Sequence, residues 1–316
     1  MKTKSILANG MIFLILMTAI SCKKKGCTDP FAVNYNEKAK KEDPDEPCQY
    51  ASREVENKNV ILQEITKLNC GSCTAGHRIA QEIHDAHPND IIIMAVHYGN
   101  STLSPTYNID LRTDFSSGFL SGGIVGGSFG TPLGFVNRND FVSLGYTQSG
   151  GLGMNKEDWS DAADVILAES SYVNVGASSS IDATTRELTV NVEAYFTGNG
   201  ISDNRINVAI LQNNIQGPQA GAAYNNPNAW NATTNLYSHA HVVRHLVTGQ
   251  WGEVISSTTE GTVFEKTFTY TVPASLDYDP NDSYSGYDYD LDNLEIVVYV
   301  SEGQNEIVTG AVSSWK

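Results

Sequence analysis

Residues 61–77 read ILQEITKLNCGSCTAGH, and this stretch decides the fold of the first half of the chain. An apolar, β-branched run that carries Glu64 predicts a buried strand over residues 60–66. The pair Cys70 and Cys73 follows a short break, and the next letters, TAGHRIAQEIHDAH, have the pattern of a helix. A Cys-x-x-Cys at a strand-to-helix junction has its first thiol near the helix N-terminus, where the dipole favours a thiolate. The stretch therefore predicts a reactive dithiol.

The composition is globular and strongly acidic. The chain has 316 residues, enough for two domains of ordinary size, and 41% of them are hydrophobic. The formal net charge is −16, which argues against nucleic acid or an anionic membrane surface as a partner.

The first 22 residues predict an export signal. Lys2 and Lys4 precede the apolar run MIFLILMTAI, which is shorter than a bilayer-spanning helix, so a signal peptide is favoured over an uncleaved anchor. The letters TAISC that end at Cys22 resemble a bacterial lipoprotein box, which implies lipidation of Cys22 and a lipid anchor in the membrane. Lysines follow at 23–25, whereas acidic runs mark surface export in the lipoproteins that this sequence resembles. The absence of such an acidic run favours a position that faces the periplasm rather than the cell surface.

The cysteine count agrees with lipidation. The chain has five cysteines, and once Cys22 is lipidated the other four sort by position into Cys27 with Cys48 and Cys70 with Cys73. Because the envelope beyond the inner membrane is oxidising, we expect both pairs to form disulfides at least part of the time.

Residues 23–51 form a polar, Cys-bounded spacer module that is too short to bury a core of its own. A Cys27–Cys48 bridge would stabilise it by about 3 kcal/mol through loop-closure entropy. The module resembles short units of the form GCTDP-x-A-x-NYNP-x-A with an acidic turn before the second cysteine. Its Asp and Asn side chains are of the type that binds calcium, but solvated turn residues are the preferred interpretation.

The order strand, helix, strand predicts an α/β domain over residues 52–170. Its predicted elements are the strand at 60–66, the helix to about residue 87, a buried strand at 91–96, a short helix at 110–120, an apolar strand after Pro132 and an amphipathic helix at 155–170. Residues 171–316 predict an all-β (immunoglobulin-like) sandwich with no competing helix pattern. Its predicted strands are 187–196, 207–212, 240–246, 264–272 and 294–300.

The α/β domain resembles thioredoxin-like proteins at three places. The residues Cys70 to Cys73 match the active-site dithiol, Glu64 stands where thioredoxins have a buried acid, and the Thr-Pro pair at 131–132 matches their cis-proline turn. Asn69 departs from the pattern, because thioredoxins have tryptophan there, and Gly-Ser replaces the usual Gly-Pro between the cysteines.

Across both domains the chain resembles the outer-membrane-protein-28-related lipoprotein family. The matching pieces are the Glu64 strand with its Cys-x-x-Cys, GTPLGFVNR at 130–138 and HAHVVRHLVTGQWGE at 239–253. This resemblance covers roughly residues 60–316 and implies the fold and the compartment more than an activity.

The predicted chemistry is thiol–disulfide exchange on envelope proteins. The thioredoxin resemblance implies that Cys70 attacks, Cys73 resolves, Glu64 transfers the proton, and Pro132 holds a substrate strand and keeps metals off the dithiol. The alternative is a non-catalytic binding or adhesion lipoprotein of the outer membrane, in which the Cys-x-x-Cys is a structural disulfide.

No cofactor or metal is predicted. His239 and His241 are two apart on a predicted strand, and His245 is near, but satisfied structural histidines are preferred to a zinc site. The acidic segment 276–293 is interpreted as a solvated loop rather than a calcium site. Hydrolase motifs, nucleotide sites and flavin sites are not apparent in the sequence.

Overall fold

The computed structural model of the protein describes residues 24–99, 109–121, 124–276 and 287–315. The predicted signal peptide and its lipidation site Cys22 lie outside the described residues, as does most of the acidic segment.

The chain is mostly β, with three α-helices in the described residues. The helices are α1 (Cys73–Ala86), α2 (Trp159–Leu167) and α3 (Ala222–Asn225). The strands before residue 200 are β1 (Val60–Thr66), β2 (Ile91–His97), β3 (Leu133–Val136), β4 (Val173–Ile181) and β5 (Glu187–Phe196). The strands up to residue 260 are β6 (Asn204–Gln212), β7 (Ile215–Gly217), β8 (Trp230–Asn231), β9 (Leu236–His239), β10 (Val242–Leu246) and β11 (Glu253–Val254). The remaining strands are β12 (Val263–Thr271), β13 (Ser275–Leu276), β14 (Tyr287–Asp288), β15 (Leu294–Glu302), β16 (Ile307–Val312) and β17 (Ser314–Trp315).

The strand that carries Glu64 is buried on both faces. β1 pairs in parallel with β2 and antiparallel with β3, and every residue of β1 and β2 is buried. This explains why both strands are continuous apolar runs rather than alternating ones. The register sets Glu64 opposite Ala95 of β2 and Gly134 of β3.

Strands from both predicted domains share one sheet. The order in this eight-stranded sheet is β16-β15-β6-β10-β2-β1-β3, with β11 paired to β6. The connection is made by β10, which pairs in parallel with β2 at Val242 and Ala95 and antiparallel with β6. The predicted domain boundary between residues 170 and 171 stays a prediction. Strand β10, which follows this boundary in the chain, pairs directly with β2, the neighbour of β1 in the sheet.

A second, four-stranded sheet, β12-β5-β4-β17, faces the far end of the large sheet. One apolar cluster joins residues from β4 and β5 to residues from β6 and β15. Burial of this cluster between two sheets is the main stabilising feature of the C-terminal half.

Most predicted elements have their counterparts in the structure. β1 and β5 have the predicted bounds, and α1 ends at Ala86, close to the predicted residue 87. The expected helix at 155–170 is shorter, since a 3₁₀ turn precedes α2.

Two helix predictions are wrong. Only a 3₁₀ turn, Gly118–Leu120, forms within residues 110–120. Side-chain bonds replace the helix there: Asp110 accepts the backbone N–H and the guanidinium of Arg112, and Ser116 accepts the N–H of Thr113. In the C-terminal half, where no helix was expected, the single turn α3 follows a left-handed glycine, Gly221.

The spacer module is held by the Cys27–Cys48 disulfide, as expected. It docks on β4, where Ser178 Oγ donates to the carbonyl of Pro30 at 3.0 Å. Asp29 accepts bonds from the Phe31 N–H and from the hydroxyl of Tyr50, which agrees with a turn role for its carboxylate.

In the part of the chain that the structure describes, no helix combines the length and the apolar character needed to cross a membrane.

Candidate functional site

The Cys70–Cys73 disulfide lies where β1 leads into α1. Cys73 is the first residue of the helix and is fully buried, whereas Cys70 is half-buried and lies just before the first helical turn. Cys70 is therefore the more exposed of the two cysteines, and its attacking role stays a prediction.

The loop before β3 contacts the exposed sulfur. The Thr131–Pro132 peptide is cis, as the resemblance implied, and Thr131 O lies 3.4 Å from Cys70 Sγ. Ser72 Oγ donates to the same carbonyl at 3.1 Å. The Thr131 hydroxyl donates to Cys70 Sγ at 3.4 Å, and such a bond favours the thiolate once the disulfide is opened.

Glu64 is buried where β1 packs against Gly76 of α1. Its side chain is 1% exposed, and Oε1 accepts no hydrogen bond of normal geometry among the described residues. Burial raises the pKa of this carboxyl well above its ordinary value, which favours the protonated form. A Cβ on Gly76 would lie 2.8 Å from Glu64 Oε1 and 2.9 Å from Pro132 Cγ, so the strand, the helix and the proline loop meet at this glycine.

His77 connects Glu64 to the C-terminal half of the chain. Its Nε2 lies 3.5 Å from Glu64 Oε1 and 2.9 Å from Thr66 Oγ1. On the other side of the ring, Nδ1 lies 3.1 Å from the hydroxyl of Tyr237, which also accepts a 2.9 Å bond from Asn226 Nδ2. Although 13% of the His77 side chain is exposed, desolvation lowers its pKa to about 4, so the ring is neutral.

Two more buried histidines adjoin this group. Tyr237 and His239 are two residues apart on β9 and both are buried, and the His239 ring meets that of His97 edge to face at 5.5 Å. His97 Nδ1 and both His239 nitrogens complete no hydrogen bond of normal geometry among the described residues. Burial lowers the pKa of His97 well below its ordinary value and that of His239 to about 3, with the Pro218 backbone opposing the shift of His239.

A cavity of about 280 Å³ lies beside these residues. Its inner wall includes Glu64, His77, His97, Tyr237 and His239, and its outer rim includes charged side chains of α1. The buried acid therefore adjoins a partly polar cavity on the side of His77.

A segment of the C-terminal half also binds the backbone of the Cys-x-x-Cys loop. Gln219 Nε2 donates to the carbonyls of Lys67 and Cys70 at 3.1 Å each. Asn225 Nδ2 donates to the carbonyl of Gly71 at 2.8 Å. These side chains fix the loop from a segment about 150 residues further along the chain.

The structure brings together four of the predicted site residues, Cys70, Cys73, Glu64 and Pro132. The predicted Cys27–Cys48 pair is a separate disulfide in the spacer module. The sequence analysis named Thr131 only as part of the cis-proline motif and missed His77, Tyr237, Asn226 and Gln219. For His77 a signal existed, because it follows Cys73 by one helical turn, whereas the others have no local signature.

The histidines considered as a zinc site do not lie together. His241 has a positive φ, which interrupts the strand alternation, and its Nδ1 lies 2.9 Å from Glu295 Oε2. His245 stacks on Tyr270 with ring centroids 4.1 Å apart. Among the described residues, the one close group of three potential metal-binding side chains is Cys27, Glu42 and Cys48, whose sulfurs are joined to each other.

The fold and the site define a mostly β protein with a half-buried Cys-x-x-Cys disulfide and a buried acid on the preceding strand. The family model of outer membrane protein Omp28 matches residues 125–313, more than half of the chain. The chain therefore belongs to the Omp28 family, a family of outer membrane proteins.

Three solved structures are similar to this chain. HBP35 of Porphyromonas gingivalis has 16% identity and a TM-score of 0.54, over 82% of this chain and 76% of its own. A protein of Agrobacterium tumefaciens has 13% identity and a TM-score of 0.48, over 82% and 95%. A domain of the outer membrane lipoprotein Omp28 from Porphyromonas gingivalis has 19% identity and a TM-score of 0.28, over 46% and 89%. At this identity the similarity to HBP35 concerns the fold alone, and no curated protein matches the chain.

Proposed function

We propose that the protein is a lipid-anchored lipoprotein of the outer membrane whose Cys70–Cys73 pair exchanges disulfides with envelope proteins. The observation that carries the proposal is the asymmetry of the pair. The half-buried Cys70 has its sulfur beside the Thr131 hydroxyl, and Cys73 is fully buried at the start of the helix whose Gly76 packs against the buried Glu64. A purely structural disulfide requires neither feature.

The exchange takes place in two balanced steps. A thiolate of the envelope protein attacks Cys70 Sγ, the Cys70–Cys73 bond breaks, and Cys73 leaves with the electron pair and takes a proton. A second thiolate of the same protein attacks the mixed disulfide and releases Cys70 as a thiolate. The pair is thereby reduced by two electrons and the partner dithiol is oxidised, and the reverse sequence oxidises the pair.

The proposed scaffold for this chemistry is a thioredoxin-like α/β unit. Its support is the local arrangement: parallel β1 and β2 joined by α1, antiparallel β3 after a cis-proline, and the dithiol at the start of α1. In addition to the departures at Asn69 and at the Gly-Ser pair, Gln219 and Asn225 from the C-terminal half bind the dithiol loop.

The proposed location follows from the family and the sequence. Membership in an outer membrane protein family is joined by the lipoprotein box at Cys22, and we infer an anchor at that cysteine. The basic residues after it favour the periplasmic face, where envelope proteins with thiols are the partners.

One observation favours the second candidate, a binding or adhesion lipoprotein with a structural disulfide. The bonds from Gln219 and Asn225 hold the loop in place, as expected of a rigid scaffold. The two candidates differ in the stability of the Cys70–Cys73 bond towards reduction.

The reduction potential of the Cys70–Cys73 pair distinguishes the two candidate functions. The full-length protein in detergent is equilibrated in thiol buffers, and the free thiols are alkylated and counted. A potential between about −120 and −270 mV is the expected result for an exchange protein, and one below about −300 mV would mark a structural disulfide and reject the exchange function.

Trapping of mixed disulfides identifies the partner proteins. A Cys73→Ser variant retains only the accessible thiol of the pair, and we expect it to accumulate mixed disulfides with envelope proteins. The matched control, Cys70→Ser, retains the buried thiol and should trap few. Equal yields from the two variants would contradict the proposed roles.

A further inference from the structure

The buried acid has no direct route to water on the side of the disulfide. Glu64 is 1% exposed, and Gly76 and Pro132 close over Oε1 so tightly that a methyl group at Gly76 would clash with both. Any proton that Glu64 gives to Cys73 must be replaced from elsewhere. The nearest side chain able to carry a proton is His77, 3.5 Å away.

The hydrogen bonds around His77 are compatible with a ring proton on Nε2. In that tautomer the Tyr237 hydroxyl, whose oxygen accepts from Asn226, donates to His77 Nδ1. The Nε2 proton is then directed towards Thr66 Oγ1 and the carboxyl of Glu64. A neutral ring with its proton on this nitrogen is ready to give a proton to Glu64 and to accept one at Nδ1.

The far side of His77 adjoins the cavity. Tyr237, which contacts Nδ1, lines the same cavity of about 280 Å³ as Glu64. The titratable or charged groups that line it are Glu64 of β1, Arg78, Glu82 and Asp85 of α1, His97 of β2, Tyr237 and His239 of β9, and His241. Arg244 of β10 acts on His97 from outside the lining. Protein groups and water in this space can therefore reach Nδ1 without passing the sulfurs.

We propose that His77 and Tyr237 form a proton relay for Glu64 along the wall of the cavity, so that the dithiol exchanges its proton through the back of the site. The inference rests on the proposed disulfide exchange and adds to it a route that includes a residue from each half of the chain. His77 and Tyr237 act through Glu64 and are positioning residues, since neither touches the sulfurs.

The step balances in atoms and charge. When the Cys70–Cys73 bond opens, Cys73 leaves as a thiolate and takes the proton of Glu64, which becomes a carboxylate. His77 gives its Nε2 proton to this carboxylate, and its Nδ1 takes the hydroxyl proton of Tyr237. The Tyr237 oxygen takes a proton from water in the cavity, and the hydroxide that remains combines with the proton that the attacking thiol released when it formed its thiolate. Closing of the disulfide moves one proton in the opposite direction.

A proton relay changes the rate at which the disulfide opens but not its reduction potential. The test measures the opening of the Cys70–Cys73 disulfide in full-length protein by dithiothreitol, across pH and in deuterated water. We expect His77→Ala and Tyr237→Phe to slow opening by about 10²-fold, the lower end of what a general acid–base group contributes. The reduction potential should not change, and free imidazole should restore the rate of His77→Ala.

Matched controls make the same chemical changes outside the relay. Tyr224→Phe removes a hydroxyl from a side chain that is 91% exposed, and His87→Ala removes an exposed histidine at the end of α1. Both should leave the rate unchanged. Because Tyr237→Phe retains the ring, it also tests the relay if His77→Ala folds poorly.

The outcomes separate the two proposals. If wild type opens with dithiothreitol but does not exchange with protein thiols, the proposed function fails, and the relay is still judged on the variants. If both variants open as fast as wild type, or if rate and potential shift together, the relay is overturned. A wild-type disulfide that dithiothreitol cannot open would reject both.

Discussion

Asn225 Nδ2 donates a 2.8 Å hydrogen bond to the carbonyl of Gly71, a residue 154 positions earlier in the chain. Gly71 lies between the two cysteines, so a side chain from the C-terminal half binds the dithiol loop itself. Gly221 lies so close to the Gly71 carbonyl that a side chain at Gly221 would clash with it. Helix α3 and the glycine before it are therefore part of the site and do more than support it.

Removal of the hydrogen bond between Asn225 and Gly71 should make the dithiol loop more mobile. Asn225→Ala is expected to lower the free energy of unfolding by about 1 kcal/mol, the typical net value of one hydrogen bond. Alkylation of Cys70 in the reduced protein should become faster, because the loop samples more open conformations. Urea unfolding and alkylation kinetics measure the two effects. Asn305→Ala, at an exposed position, is the control, and equal behaviour of both variants would show that the bond is unimportant.

Gly76 and Gly71 should respond differently to the same substitution. In helix α1, alanine at Gly76 gains about 1 kcal/mol of helix propensity. Its methyl group, however, would lie 2.8 Å from Glu64 Oε1 and 2.9 Å from Pro132 Cγ, and such overpacking typically costs about 1–3 kcal/mol. We expect Gly76→Ala to be destabilised by about 1 kcal/mol net and to exchange slowly, because Glu64 must move.

At Gly71 a methyl group meets nothing within 4 Å. Gly71→Ala should therefore change the free energy of unfolding by less than about 0.5 kcal/mol. Thermal and urea unfolding of the two variants give the comparison. A Gly76→Ala variant as stable as Gly71→Ala would mean that Glu64 and Pro132 are free to move apart.

The hydroxyl of Thr131 is expected to promote the thiolate of Cys70. It donates to Cys70 Sγ at 3.4 Å, and the loss of about 1 kcal/mol of hydrogen bonding to a charged atom corresponds to about a fivefold smaller thiolate population. Thr131→Val should thus alkylate about fivefold more slowly at neutral pH once reduced, while Thr131→Ser, which retains the hydroxyl, should resemble wild type. Stopped-flow alkylation gives the rates, and a slow Thr131→Ser variant would indicate that packing rather than the hydroxyl matters.

Local features of this site could be predicted from sequence, and distant ones could not. The strand with Glu64 and the helix that starts at Cys73 are encoded by adjacent residues with a clear pattern, and the cis bond at Pro132 followed from a short motif. The contact of His77 with Tyr237 spans 160 positions, and strand patterns do not specify which sheet edge a strand joins. For the same reason the sequence did not indicate that β10 would pair with β2.

The pH dependence of the free energy of unfolding should show whether Glu64 is protonated in the folded protein. Burial raises the pKa of Glu64 well above its ordinary value of 4.5, so the folded state holds a proton that the unfolded state loses first. The stability that this proton contributes is fully present below pH 4.5 and is lost as the pH rises towards the folded pKa. Wild type should therefore lose stability relative to Glu64→Gln between these limits, because glutamine stays neutral at every pH.

The comparison with Glu64→Gln is needed because the histidines act in the opposite direction. Burial lowers the pKa of His77 to about 4 and that of His239 to about 3, from an ordinary 6.5. Their contribution is present above pH 6.5 and is lost as the pH falls, so the two trends overlap in wild type. Since both proteins contain the histidines, the difference in their free energies of unfolding, measured in urea from pH 4 to pH 9, isolates Glu64. A difference that is constant with pH would mean that Glu64 is ionised in the folded protein, and the proposed proton transfer to Cys73 would lose its donor.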